Sequence, residues 1–448
     1  MPERFVPPHP PRGPRPVASW RGFFGERARN TVYGWSQQAF ERWHFKRRIL
    51  RFIVHVPLHP DAVQRILLDN AANYVKPEVV KALTGPTIGN GLLTSDGPLW
   101  REQRRIVAAS FTPAAIEGLT ATFAAAAEAT AATWSDGEVR DIAAEATATT
   151  MAIIADSLFS GDPRLKTKEA MAHIADALQA ASEARMAAIL GLPQIGWTKG
   201  MRKGRRGTRF LRETLGALVH ERTKAPREDF LGTIVSELRQ RFEPAQAFEL
   251  AVDNATTFYL AGHETTANTV TWTLFLLAGQ PELQRAVAVE AQAAIGCDDL
   301  PDRLPLLRRV VEEAMRLYPP APRFDRQAVA ADELNGHQID PGDIVSIWPW
   351  LIHRHRKLWD DSDAFDADRF LPDRRASWHR FQYIPFGGGP RVCVGARFAM
   401  AEALALLSHW LARWSFAPIA GHGVRPVGTV TLRPDGGLPL GIHKTMRA

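Results

Sequence analysis

The stretch from Pro244 to Leu277 constrains this chain more than any other part of it. It is largely apolar, has no proline after its first residue, and contains a single glycine, Gly262. Proline at the start suits the first turn of a helix, and Gly279 with Pro281 supplies a stop. A helix apolar on most sides is a buried one, so other elements must surround it.

Those elements are legible on both sides. From Pro98 to about Ser236, apolar residues recur at three- and four-residue intervals in Ala-rich, charge-flecked segments, the pattern of several amphipathic helices. Helices resume over Glu282–Ala294 and Leu304–Leu317, and a last one is expected from Ala396 to about Trp414. Phe52–Val56 reads as a strand and a helix follows from Pro60. After Pro319–Pro322 come short strand-like pieces, Gln327–Val329, His337–Ile339 and Ile344–Ile347, separated by Asn335-Gly336 and Pro341-Gly342 turns. Beyond Pro418 two more short strands are expected. The expectation is a mainly α fold with a minor β portion, one domain over residues 1–448, of which 1–20 form a Pro-rich N-terminal extension.

Hydrophobic residues make up 45% and charged residues 23%, the balance of a soluble globular protein with a core large enough to hide a cofactor. Two distant cysteines, Cys297 and Cys393, exclude a disulfide framework and paired zinc spacing, and point to a reduced, cytoplasmic setting. No apolar leader and no spanning stretch of about 18 residues is seen, so no integral membrane anchor is expected. The net charge is +7, with the densest basic run between Lys199 and Arg212. No nucleic-acid motif accompanies that run. A solvated surface loop is expected there, with contact to an acidic redox protein or a membrane surface as the functional alternative.

Two places break ordinary burial rules. Inside the long helix lies Ala261-Gly262-His263-Glu264-Thr265-Thr266. An acid, two hydroxyls and a glycine there are costly in a packed interior, and such violations tend to mark functional sites. Gly262 and Thr265, three apart, share a face, where glycine is expected to open room for a diatomic ligand and the threonine hydroxyl to bond a carbonyl one turn back or a water. Thr266 reads as structural. Near the C-terminus, Phe386-Gly387-Gly388-Gly389-Pro390-Arg391-Val392-Cys393-Val394-Gly395 places a cysteine at a helix start after three glycines that allow a bulky flat ligand to approach. Arg391 sets a fixed positive charge near the sulfur, able to pair with a ligand carboxylate. This arrangement suits a cysteine held ionised as a ligand to a metal in a macrocycle; a buried structural cysteine is the plainer reading.

The pattern Phe-x-x-Gly-x-Arg-x-Cys-x-Gly resembles the haem-binding loop of the cytochrome P450 family, and every fixed position is present. Three further segments resemble that family in order. Ala261–Thr266 is similar to its acid–alcohol signature, Trp100 and Arg104 to its Trp-x-x-x-Arg element, and Glu313 with Arg316 to its Glu-x-x-Arg helix, with Arg369 in Phe365–Phe370 completing a buried cluster. Ala367-Asp368 stands where the family often has Pro before an acid. The resemblance implies the cytochrome P450 fold, with haem b buried between the long helix and the cysteine loop and Cys393 as the axial thiolate on iron. It implies propionate contacts from Trp100, Arg104, Arg391 and Arg326, haem contact from Phe386, proton relay by Glu264, and hydrogen-bond donation by Thr265 where oxygen is activated.

The reaction implied is insertion of one atom of dioxygen into a small apolar substrate such as a fatty acid, terpenoid or aromatic. Electrons would come in trans from a ferredoxin and an NAD(P)H-dependent reductase, docking at Arg101, Arg105 and Arg397. Family topology puts Glu78–Leu93, Met186–Trp197, Asn254–Ala261, Ala321–Phe324 and Leu432–Leu438 around the substrate, with Arg323 a possible carboxylate partner. A peroxide-driven hydroxylase, a non-catalytic haem-thiolate sensor or carrier, and a haem isomerase or dehydratase remain as alternatives.

Overall fold

A computed structural model of the chain describes residues 5–16, 25–190, 198–297 and 299–445. Eleven helices of eight residues or more are described: α1 (Glu78–Ile88), α2 (Gly97–Ala108), α3 (Thr120–Ala131), α4 (Ile142–Leu158), α5 (Lys168–Leu190), α6 (Lys199–Lys224), α7 (Phe230–Arg241), α8 (Pro244–Ala278), α9 (Pro281–Ala294), α10 (Pro305–Leu317) and α11 (Ala396–Leu411). The strands are β1 (His44–Ile49), β2 (Phe52–Pro57), β3 (Tyr74–Val75), β4 (Val139–Asp141), β5 (Phe324–Ala328), β6 (Asp332–Leu334), β7 (His337–Ile339), β8 (Ile344–Ile347), β9 (Trp414–Pro418), β10 (Pro426–Gly428), β11 (Leu432–Pro434) and β12 (Pro439–Lys444).

The expected long helix is α8, with Pro244 in its first turn and Gly279 at its end. Its many threonines do not stop it from being buried, because their hydroxyls are consumed within the helix. Thr256, Thr257, Thr269, Thr271 and Thr273 each donate to the carbonyl four residues back, at 2.7–3.0 Å. Around it pack α4, α6, α7, α10 and α11. Near its C-terminal end Trp272 stacks on Tyr318 of the turn after α10, with ring centroids 3.9 Å apart, and donates its Nε1 to the Leu432 carbonyl at 3.0 Å.

The β portion sits to one side. One sheet has the order β1-β2-β8-β5-β3, in which only β2 and β8 run parallel. A second has the order β4-β12-β9, and β6–β7 and β10–β11 form hairpins. Beyond Pro418 there are three strands where two were expected, and α11 ends at Leu411, with β9 starting at Trp414 where the helix was expected to end. The helix from Pro60 is short and loosens after Gln64 into a wide turn over Arg65–Asp69. The described part of the Pro-rich extension lies on the core. Arg12 pairs with Asp363 at 2.6 Å and stacks over Phe40, and Pro8 accepts from the Tyr318 hydroxyl at 2.7 Å.

The basic run is a correction. It is the first half of α6, not a loop, capped by Thr198 accepting from the Met201 N–H. Of the expected substrate-loop segment, Met186–Leu190 forms the end of α5, and residues 191–197 lie outside the described residues.

Glu313, Arg316 and Arg369 do come together. All five guanidinium N–H groups of Arg316 are used, two on Glu313 at 2.6 and 2.8 Å and three on the carbonyls of His353, Ser362 and Ala364. Arg369 lies 3.5 Å from the same carboxylate.

Candidate active site

The loop before α11 is clamped by its glycines. Gly389 has φ +65°, and a Cβ there would lie 1.7 Å from the Leu67 carbonyl oxygen. One on Gly388 would meet the Phe381 ring at 2.6 Å. Only glycine permits so close an approach. The Cys393 N–H donates to the Phe386 carbonyl at 2.9 Å and closes the turn, while Phe386 and Val394 pack against the core. In the midst of this packing Cys393 is exposed. Its sulfur is nonetheless enclosed by surrounding protein, so it opens on a recess. That burial pushes the thiol up, while the Gly395 N–H and the Arg104 guanidinium pull it back down.

A second opening lies in α8. The helix is buried from Leu250 to Leu260 and again from Thr266 to Leu274. Between them Ala261 is exposed and Gly262, Glu264 and Thr265 are half-buried. Thr265 Oγ1 donates to the Ala261 carbonyl at 2.9 Å, and Glu264 Oε1 accepts from Thr431 Oγ1 at 2.7 Å. His263 points the other way and is buried. Desolvation lowers its pKa despite a 2.7 Å contact from Nδ1 to the Tyr259 carbonyl.

Gly262 corrects an expectation. A Cβ at this position would lie 2.6 Å from Ile154 Cδ1 of α4. The glycine lets α4 seat closely on α8; it does not open space beside Thr265, and the residue that shares the open face with Thr265 is Ala261, one turn earlier.

The cationic candidates converge. Arg391 stacks over Trp100, 4.4 Å from the ring centroid, and its guanidinium pairs with Asp96 at 2.5 Å. Asp96 also receives Lys81 Nζ at 3.3 Å and the Lys76 N–H at 3.2 Å. Arg326 is buried and donates to the Asp325 carbonyl at 2.9 Å. Burial, reinforced by the nearby Arg391 charge, brings it down to about 10. Lys76 is half-buried beside both; desolvation, then Arg326 and Arg391, push its pKa well below the usual lysine range. Three crowded cations facing two carboxylates that already have partners leave a positive surplus, which suits a ligand bearing carboxylates of its own. Arg104 is half-buried, its pKa lowered by burial and raised by Cys393. Arg323, by contrast, is engaged by Asp325 at 2.8 Å and lies over Trp348.

Two residues escaped sequence reasoning. Lys76 stands alone in Tyr74-Val75-Lys76-Pro77, with no spacing that marks it. Glu402, on the buried side of α11, is fully buried. Thr266 of α8 lies beside it, but that hydroxyl faces the Gly262 carbonyl, and both carboxyl oxygens lack a partner. The available signal was an acid in the apolar run Ala401–Leu407.

The donor set fits haem: a recessed thiol, a cation cluster for carboxylates, and a helix face opened at one turn. A family model described as Cytochrome P450 matches residues 42–435. Cyclooctatin synthase of Streptomyces melanosporofaciens is 32% identical, covering 83% of this chain and 83% of its own. Pentalenene oxygenase of Streptomyces avermitilis is 30% identical, covering 84% of this chain and 85% of its own. Among solved structures, the retinoic acid bound cyanobacterial CYP120A1 superposes with a TM-score of 0.82 at 22% identity, over 98% of this chain and 100% of that one, and shows the shared fold.

Proposed function

Because the chain belongs to the cytochrome P450 family, we propose that it binds haem b through the Cys393 thiolate and hydroxylates or epoxidises a terpenoid, with electrons from a ferredoxin and an NAD(P)H-dependent reductase in trans in the cytoplasm. The observation that carries this reading is Cys393, left open on a recess inside an otherwise packed glycine clamp. The terpenoid class is favoured because cyclooctatin synthase and pentalenene oxygenase are both terpenoid enzymes.

Haem supplies a redox iron whose thiolate ligation favours O–O cleavage. The protein does the rest. Lys76, Arg104, Arg326 and Arg391 would hold the propionates, with Trp100 bracing the Arg391 guanidinium and Asp96 fixing its direction. Thr265 Oγ1 now donates its hydrogen to the Ala261 carbonyl, and the hydroxyl can turn to the open face. Glu264, steadied by Thr431, is the group that replenishes it. Buried apolar side chains of α8 on either side of the opening exclude bulk water.

The test has two steps. Haem-loaded protein, reduced and exposed to carbon monoxide, is expected to show the strongly red-shifted Soret band of thiolate ligation, absent in Cys393→Ala. Supplied with NADH, ferredoxin and reductase, it is expected to convert members of a cyclic terpene panel to products one oxygen heavier. A histidine-like spectrum refutes the ligation, and a normal spectrum with oxygenation only of fatty acids refutes the substrate class.

A further inference from the structure

The base of the cysteine loop is tied to α10 and to a buried side chain that the mechanism does not use. The Tyr383 hydroxyl donates to the Glu312 carbonyl at 2.9 Å, and the Ile384 N–H donates to Nε2 of His353 at 2.9 Å. From Ile384 the chain runs straight into the ligand turn. The Gly387 N–H returns to the Ile384 carbonyl at 3.0 Å, and the Cys393 N–H returns to Phe386. His353 is itself fixed through its backbone on both sides. Its N–H donates to the Pro349 carbonyl at 2.8 Å, and its carbonyl receives Nη1 of Arg316 at 2.7 Å. The imidazole is fully buried, with the Tyr383 ring centroid 5.2 Å away.

The bond to Ile384 fixes the state of the ring. An N–H can donate only to a nitrogen that keeps its lone pair, so Nε2 is bare and the one ring proton sits on Nδ1. No hydrogen bond of good geometry takes Nδ1, but the carbonyls of Met315 and Arg316 lie beside the ring. The neutral form is also what the surroundings demand. Burial, followed by the charges of Arg316 and Arg354, brings the pKa down to about 3 against the upward pull of those two carbonyls. We propose that His353 is a positioning residue for Cys393: as a neutral acceptor it ties the base of the cysteine loop to Arg316, and through Arg316 to Glu313. This rests on the reading of Cys393 as the haem ligand. The glycine clamp and His353 act at different places. Gly388 and Gly389 seat the tip of the loop against Phe381 and Leu67, while His353 holds the backbone nine residues before the sulfur. A buried N–H that loses its acceptor costs free energy until it finds another, and here any movement to find one carries the loop with it.

Two variants separate the acceptor from the ring. His353→Phe keeps a buried ring and removes the acceptor; His353→Gln gives up the ring and offers Oε1 to the Ile384 N–H. A role in packing alone predicts that the first variant does better, and the proposal predicts the reverse. Each holoprotein is reduced, exposed to carbon monoxide and followed in dilute urea as the red-shifted Soret band gives way to that of a lost thiolate. The His353→Phe protein is expected to convert about tenfold faster than wild type, and the His353→Gln protein within about twofold of it. Hydrogen exchange of the holoproteins is a second reading. Residues 383–393 are expected to lose protection in the His353→Phe protein while α11 keeps its own. Equal conversion of the His353→Phe and wild-type proteins, or a His353→Gln protein as fast as the His353→Phe one, overturns the proposal. So does a wild-type Ile384 amide that exchanges as freely as a surface turn. If the His353→Phe protein takes up no haem, normal loading of the His353→Gln protein supports the proposal and failure of both overturns it. A wild-type spectrum without the red-shifted band refutes the ligation itself, and this inference with it.

Discussion

Thr431 and Glu264, 167 residues apart in sequence, meet at 2.7 Å through Oγ1 and Oε1. Thr431 stands just before β11, and the next residue, Leu432, is fixed to α8 by the Trp272 indole. The C-terminal hairpin thus sets where the acid of the open turn points. Glu264→Gln keeps an oxygen that can accept from Thr431 but cannot relay a proton. Turnover is expected to fall about a hundredfold, toward the lower end of general acid–base effects, with a larger solvent isotope effect. Thr431→Val leaves the acid in place but loosens it, and a drop of only a few fold is expected. If the two variants lose activity equally, Glu264 acts only through its position.

Thr265 is the hydroxyl nearest the opening and now donates to Ala261. Thr265→Ala removes the hydroxyl proposed to carry the proton without touching Cys393 or the cation cluster. The carbon monoxide spectrum is expected to stay, while oxygen consumed is released largely as hydrogen peroxide and product per NADH falls. Thr265→Ser should restore most of the coupling. An alanine variant that remains coupled would exclude this hydroxyl from proton delivery.

Arg316 spends every one of its five donors, two on Glu313 and three on backbone carbonyls. Lysine keeps the charge but offers three donors from one point, so at least two buried acceptors lose their partners. Arg316→Lys is expected to cost about 2–4 kcal/mol. Glu313→Ala strands a buried guanidinium and is expected to cost about 3–5 kcal/mol. Denaturant unfolding of the holoprotein measures both; a lysine variant within error of wild type would show that the carbonyls find other donors.

What the sequence disclosed follows a physical line. Elements whose burial is encoded in apolar run length were readable, and α8 matches its expected span to within a residue at the C-terminal end. Pairs at helical spacing, such as Glu313 with Arg316, were readable for the same reason. β1 was not, because its Lys46, Arg47 and Arg48 suit an edge strand that faces water on one side. The first half of α6 resembles a loop in sequence because its three glycines and its charge both suit loop chemistry; only the partner helix shows that these glycines are contact points. Gly262 carried the same ambiguity, between space for a ligand and space for Ile154. Lys76 and Glu402 have no periodic partner at all, since what marks them is proximity to residues distant in sequence, Arg326 and Arg391 for the one and Thr266 for the other.

Glu402 offers a test by pH. Burial pushes its carboxyl well above the ordinary value of 4.5, against a downward pull from the Thr266 hydroxyl beside it. The folded protein therefore holds this proton to higher pH than the unfolded chain does. Stability from this group is fully present below pH 4.5 and declines as pH rises toward the folded pKa, by at most about 1.4 kcal/mol per pH unit. Glu402→Gln mimics the protonated acid and has no proton to lose. The gap in unfolding midpoint between the glutamine variant and wild type is expected to widen in favour of glutamine as pH rises above the ordinary carboxylate range. Parallel curves over that rise would mean that the carboxyl is ionised inside the fold and that a cation or donor reaches it after all.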